Sequence, residues 1–202
     1  MNKTLLAPVL AMVATWSGIV VASALVGMPA PDFLLADIDG RTFNLAGFKG
    51  KHVVLEWHNP FCPFVMKHYD SGNIPGLQAK YGVNDTVWLT INSTHPGHHD
   101  YLGREKLKAY LAEKRASPNA YLIDADGSVG RLYAARTTPH IYVVNPAGVL
   151  VYAGAIDDKR TTDPQDVRTA TNYLVAALRE SKAGKPVSMA TTSPYGCSIK
   201  YR

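Results

Sequence analysis

The sequence predicts an α/β fold: a mixed central sheet flanked by helices. Three observations carry this. Short apolar, β-rich runs alternate with helical segments between Val53 and Val144, a tight Asn-Pro-Ala-Gly turn at 145–148 joins two of the runs, and a helical segment follows that hairpin. Strands separated by helices pair in parallel and need cover on both faces, whereas a hairpin adds antiparallel strands, so the sheet is mixed.

Pro29, Pro31 and Gly40 punctuate an extended lead-in through Phe33-Leu34-Leu35, and Gly47 to Gly50 form a second turn. Val53 to Trp57 is β-rich and bounded by turn residues, which predicts a central strand. From Cys62 to about Tyr81 the chain reads as helix, with a break or bend expected at Ser71-Gly72-Asn73 and at Pro75. Thr86 to Asn92 is the next strand. Leu107, Tyr110 and Leu111 give Gly103 to Arg115 the spacing of an amphipathic helix. Ala120 to Ile123 reads as a short strand, Val129 to Ala135 as a short helix, and Ile141 to Val144 with Val149 to Gly154 as an antiparallel hairpin. Tyr173, Leu174, Ala177 and Leu178 lie on one face of a helix predicted over Val167 to Glu180. The tail from Ser181 to Arg202 is rich in small and polar residues and has no clear period.

A chain of 202 residues is long enough for one well-buried core, so one domain is expected, over residues 27–180, with the tail at 181–202. After Lys3 no charged residue occurs from Thr4 to Ala30. The basic start, the apolar stretch and Ala22-Ser23-Ala24 match a cleavable signal peptide over residues 1–24, with a mature chain from about Leu25. The alternative is a membrane tether through residues 5–26, since Leu5 to Val26 would reach roughly 33 Å as a helix at ~1.5 Å per residue. Either route places the domain outside the cytoplasm, periplasmic or otherwise extracytoplasmic. The net charge is +5, but no run of basic residues interleaved with aromatics appears, which argues against nucleic acid. Two distant cysteines, Cys62 and Cys197, neither staple a small scaffold nor match zinc-finger spacing.

The strongest local feature is Trp57-His58-Asn59-Pro60-Phe61-Cys62-Pro63, a cysteine between a buried strand and a helix. The positive end of a helix dipole favours a thiolate there, and the thiolate is the nucleophile. Pro63 suits the first helical turn, where a missing N–H costs nothing.

These residues carry a resemblance. Cys62-Pro63-Phe64-Val65 stands where the thioredoxin-like superfamily has its Cys-x-x-Cys. Gly27 to Phe33 resembles the opening of redoxin and peroxiredoxin domains, Thr138-Pro139 the family's cis-proline, and Asn145 to Gly154 its closing hairpin. A closer similarity is to a peroxiredoxin-like (AhpC/TSA-like) branch with Cys-Pro-aromatic-Val, a Gly-x-Ile-Asp-Asp-like stretch and a Gly-Cys-Ser-Ile-Lys-aromatic tail. Here these are Cys62 to Val65, Gly154 to Asp158 and Gly196 to Tyr201. The resemblance implies a thioredoxin fold and a thiol-dependent oxidoreductase, without a cofactor, acting on protein thiols and disulfides or on a small oxidant. It implies Cys62 as nucleophile, Pro63, Thr138 and Pro139 at the substrate, and Glu56, six residues before Cys62, as an acid that handles protons.

Two departures narrow this. Val65 replaces the second cysteine, which removes the adjacent-dithiol mechanism. The peroxiredoxin Pro-x-x-x-Thr-x-x-Cys pattern is missing, since Asn59 and Leu55 stand at its positions, so disulfide exchange is favoured over efficient peroxide reduction. Cys197 is then the one other sulfur able to resolve an intermediate, and a reversible Cys62–Cys197 bond stands beside a purely structural one. Strand alternation leaves open whether Glu56 faces the core or solvent. His58 and Lys67 are placed to add positive potential near the sulfur or to sit at the surface. A reading from another class is a copper-handling assembly protein, because His58, Cys62 and Met66 at four-residue intervals, with His95, His98 and His99, offer soft and borderline ligands.

Overall fold

The computed structural model describes residues 24–202. Through residue 23, the leader and the alternative membrane tether lie outside the described residues. No helix among the described residues is long and apolar enough to cross a membrane.

The sheet has seven strands. β1 (Leu34–Asp37), β2 (Thr42–Asn44), β3 (His52–Trp57), β4 (Thr86–Asn92), β5 (Ala120–Ile123), β7 (His140–Val144) and β8 (Leu150–Gly154) run in the spatial order β2-β1-β5-β4-β3-β7-β8. β3, β4 and β5 are mutually parallel; β1 joins β5, and β7 joins β3, antiparallel. The predicted hairpin is β7–β8. β6 (Thr137–Thr138) lies off the main sheet and pairs with β9 (Cys197–Ser198) from the tail.

Every residue of β3 is buried, as a central strand covered on both faces requires. Its alternation sends Val53, Leu55 and Trp57 into one core with Leu89, Ile91, Tyr133 and Tyr142. Val54 faces the other core, with Cys62, Val65 and Tyr69 of α1 (Pro63–Asp70) and Leu174 and Leu178 of α5 (Tyr173–Lys182). This second layer holds the cysteine against the sheet.

The helical run after Cys62 divides at Ser71-Gly72, where Gly72 takes φ 72°, so α1 and α2 (Asn73–Tyr81) are separate helices. Pro75 breaks nothing: it lies in the first turn of α2, where its missing N–H had no partner to lose. α3 (Arg104–Glu113) falls within its predicted segment, and α4 (Ser128–Leu132) begins one residue before the predicted Val129 to Ala135 and ends three residues short of it.

Two expectations are corrected. The helix predicted from Val167 is two elements, a 3₁₀ turn at Pro164–Arg168 and α5. Asn172 makes the break: its side chain accepts from Val175 N–H at 2.9 Å as N-cap, and its backbone bridges to Asp157. The tail is also more ordered than its composition suggests. Thr192 and Ala190 bond to Ala153, Ile199 to Arg136 and Lys200 to His95, which lays the tail across the end of the sheet that carries Cys62.

Candidate active site

Cys62 is the N-cap of α1 and Pro63 its first residue. The approach is fixed by Asn59, whose Oδ1 accepts from Phe61 N–H at 2.9 Å and whose carbonyl accepts from Cys62 N–H at 3.1 Å. Asn59 Nδ2 also donates to Asp100 Oδ2 at 2.7 Å, tying this turn to the loop of His98 and His99. Cys62 is 1% exposed, and its S–H donates to the carbonyl of Thr138 at 2.9 Å.

Thr138 lies in β6, and the Thr138–Pro139 peptide is cis. Directly across the β6–β9 ladder stands Cys197. Both cysteines are free thiols. The Cys197 thiol is pushed up to about 12, first by burial and then by hydrogen bonding and charge interaction with Cys62, with Asp100 adding to the rise and Lys200 opposing it. Two sulfurs far apart in sequence therefore meet around one carbonyl. Thr138 Oγ1 is buried beside them with no hydrogen-bond partner among the described residues.

Glu56 faces the core and is fully buried. Its carboxyl accepts from Trp88 Nε1 at 2.7 Å, Tyr69 Oη at 2.9 Å and Thr90 Oγ1 at 3.1 Å, with Gln78 Nε2 at 3.5 Å. Desolvation nonetheless wins over these four donors and raises its pKa to about 7. The solvent-facing alternative for Glu56 is thereby excluded.

His58 and Lys67 are buried, which corrects the surface alternative for both. His58 shares its Nδ1 with Tyr121 Oη at 2.8 Å and its Nε2 with Tyr110 Oη at 3.4 Å, and burial lowers its pKa to about 3, so it is neutral and adds no positive potential. Lys67 Nζ donates to the carbonyl of Lys159 at 2.6 Å and lies 3.7 Å from Asp157 Oδ2. Its charge is matched there rather than turned to the sulfur.

The four-residue ligand series of the copper reading does not assemble, because both His58 nitrogens face tyrosine hydroxyls and Met66 is exposed. His98, His99 and Asp100 do converge, with donor atoms within 4.8 Å of one another.

Sequence reasoning missed the residues that clamp the tail. Tyr195 Oη donates to Asp157 Oδ1 and lies 3.1 Å from His68 Nε2, and its ring packs 5.8 Å from that of Phe64. Thr192 Oγ1 takes the N–H of Ala155 at 2.9 Å. Past Cys197, Tyr201 Oη donates to Ala135 O at 2.9 Å, with its ring under Arg131. The tail motif and the Gly-x-Ile-Asp-Asp-like stretch were the available signals, since Asp157 belongs to one and Tyr201 to the other. Nothing in the sequence showed that they share a surface.

The redoxin family model matches residues 25–174. The chain is similar in structure to a hypothetical protein from Sinorhizobium meliloti, at 27% identity and TM-score 0.74, over 90% of this chain and 97% of that one. It is also similar to an uncharacterized conserved protein from Geobacillus kaustophilus, at 26% identity and TM-score 0.75, over 88% and 93% of the two chains. A third likeness, of fold alone, is to a protein provisionally assigned as the thiol:disulfide interchange protein DsbE of Chlorobium tepidum, at 21% identity and TM-score 0.56, over 77% and 99%. No curated protein matches. A match over most of the described chain, on a mixed sheet with its cysteine at a strand-to-helix junction, shows that this chain belongs to the redoxin family, with a thioredoxin-like fold.

Proposed function

We propose that the chain is an exported thiol–disulfide oxidoreductase in which Cys62 and Cys197 alternate between dithiol and disulfide. The observation that carries this is the meeting of the two thiols around Thr138: Cys62 bonds its carbonyl, and Cys197 pairs with it across the ladder.

The steps balance as ordinary exchange. The Cys62 thiolate attacks one sulfur of a substrate disulfide and expels the other as a thiolate. Cys197 then attacks the Cys62 sulfur of the mixed disulfide, expelling the second substrate thiolate and leaving a Cys62–Cys197 bond. The substrate is reduced by two electrons, and the protons of the two cysteines end on its thiols. Cys197 holds its proton tightly in the resting state, so that proton needs an acceptor. Glu56, on the same face of the sheet as Cys62 and titrating near 7, is the proposed store for it. Pro63 shapes the start of the helix at the sulfur, and Thr138 and Pro139 form the opposite wall, where the unpartnered Thr138 hydroxyl offers a bond to an incoming group.

Disulfide exchange is favoured over peroxide reduction. At the position of the peroxiredoxin threonine, both side-chain atoms of Asn59 are already committed, to Phe61 and Asp100. The deciding experiment is peptide mapping without reductant after mild oxidation with diamide, together with an insulin-reduction assay. A Cys62–Cys197 peptide and activity lost in Cys62→Ser are expected; free-thiol labels on both cysteines would overturn the pairing. Export rests on the charge-free stretch from Thr4 to Ala30. N-terminal sequencing of native protein should begin near Leu25, and full-length chain in the soluble cytoplasmic fraction would count against it.

A further inference from the structure

The tail residues that carry Cys197 make contacts of two kinds. One is a short ladder, Thr137 opposite Ser198 and Thr138 opposite Cys197. The ladder is backbone against backbone, and it has required a glycine: a Cβ on Gly196 would lie 2.0 Å from the Thr138 carbonyl oxygen, and Gly196 has φ +132°. The other kind is a clamp on either side. Tyr195 enters the buried group of Asp157, His68 and Lys67, and Ile199 N–H bonds Arg136 O at 3.1 Å.

Ladder bonds are indifferent to which chain supplies them. A two-residue β6 presents N–H and C=O groups that any extended polypeptide could pair with, and strand addition at such an edge is a general mode of peptide recognition. The tail occupies that edge in the manner of a bound peptide, with a cysteine placed opposite Thr138 and interacting with the Cys62 thiol. While it is there, Cys62 is 1% exposed and the edge is filled.

We propose that residues 195–199 are a built-in stand-in for a cysteine-bearing partner polypeptide, so that such a partner reaches Cys62 by taking the place of β9 on Thr137–Thr138. The tail thereby sets the threshold for that partner's entry. This rests on the reading of Cys62 as the reacting thiol.

The test uses the full chain with Cys197→Ser, so that Cys62 is the sole cysteine, and compares it with Gly196→Val/Cys197→Ser, in which the ladder cannot close. Two probes are used: a nine-residue peptide with the tail sequence from Thr192 to Lys200, its cysteine activated as the mixed disulfide with thionitrobenzoate, and the small aromatic disulfide 5,5′-dithiobis(2-nitrobenzoate). In both reactions the Cys62 thiolate forms a disulfide and thionitrobenzoate leaves, which gives the rate by absorbance. The expected result is a rise in the peptide rate at least about tenfold greater than the rise with the small reagent. A Tyr195→Phe/Cys197→Ser chain, which loosens the clamp and spares the ladder, should show a smaller rise with the same preference for peptide, and guards against misfolding of the glycine variant. Equal rises with both probes would make the tail a plain cover and overturn the inference, as would no rise. A Cys62 inert to both probes in every variant would instead remove the reacting-thiol reading, and the gate with it.

Discussion

Thr138 stands directly opposite Cys197 across the β6–β9 ladder while its carbonyl accepts the Cys62 thiol at 2.9 Å. One backbone position thus neighbours both cysteines, and the proposed oxidation product is a Cys62–Cys197 bond. The bond would close a loop on the order of 130 residues, which constrains the unfolded chain by roughly 5 kcal/mol in the entropy model. The oxidised chain should therefore melt higher than the reduced one. A catalytic pair also reduces readily with dithiothreitol and reforms with diamide, whereas a purely structural bond resists mild dithiol. Melting curves and thiol counts over two redox cycles check both.

Glu56 gives a pH dependence of definite sign. Burial raises its folded pKa to about 7 from 4.5, so the stability it contributes is complete below about 4.5 and is lost as pH rises through 7. At ~1.4 kcal/mol per pKa unit the loss is roughly 3 kcal/mol. In Glu56→Gln this term vanishes, so urea unfolding of the two chains between pH 4.5 and 8 should diverge by about that amount, with the native chain losing ground as pH rises. Parallel curves would show that Glu56 does not titrate in this range. The same variant should flatten the pH profile of insulin reduction near 7.

Three histidines act in the opposite direction. Burial lowers His58, His68 and His140 to about 3 from 6.5, so each contributes fully above 6.5 and loses its contribution as pH falls from there toward 3. Between pH 6.5 and 4.5 each loses on the order of 2–3 kcal/mol, more in sum than Glu56 returns. The native chain should therefore show a lower urea midpoint at pH 4.5 than at pH 7. A midpoint that is flat or rises on acidification contradicts the neutral burial of these rings.

Tyr195 tests the clamp by itself. Tyr195→Phe keeps the ring against Phe64 and removes the hydroxyl shared with Asp157 and His68. Asp157 Oδ1 keeps the N–H of Lys159 at 3.0 Å but loses its hydroxyl donor, a charge-assisted bond whose loss costs about 1–3 kcal/mol. Faster hydrogen exchange confined to the tail amides is also expected, and an unchanged melting temperature with unchanged exchange would show that the tail is held elsewhere.

Much of the fold was legible because periodicity and turn chemistry are local. Val53 to Trp57 announced a central strand, and the Asn-Pro-Ala-Gly turn announced the hairpin. The helix forecast from Val167 failed because a side-chain cap at Asn172 and a bridge to Asp157 are decided at short and long range together, which spacing alone cannot register. At the site, Cys62 was visible from its strand-to-helix position and Pro63 from the rule for first helical turns.

What the sequence determined by itself was the class of the fold, the place of Cys62 at a strand-to-helix junction and the absence of a neighbouring thiol at Val65, since each depends on residues a few positions apart. Only the tertiary structure decided that Glu56 is buried under four donors, that His58 is neutral between two tyrosines, and that Cys197 arrives opposite Thr138. These depend on desolvation and on pairing between segments distant in the chain, and neither quantity exists until those segments have packed together.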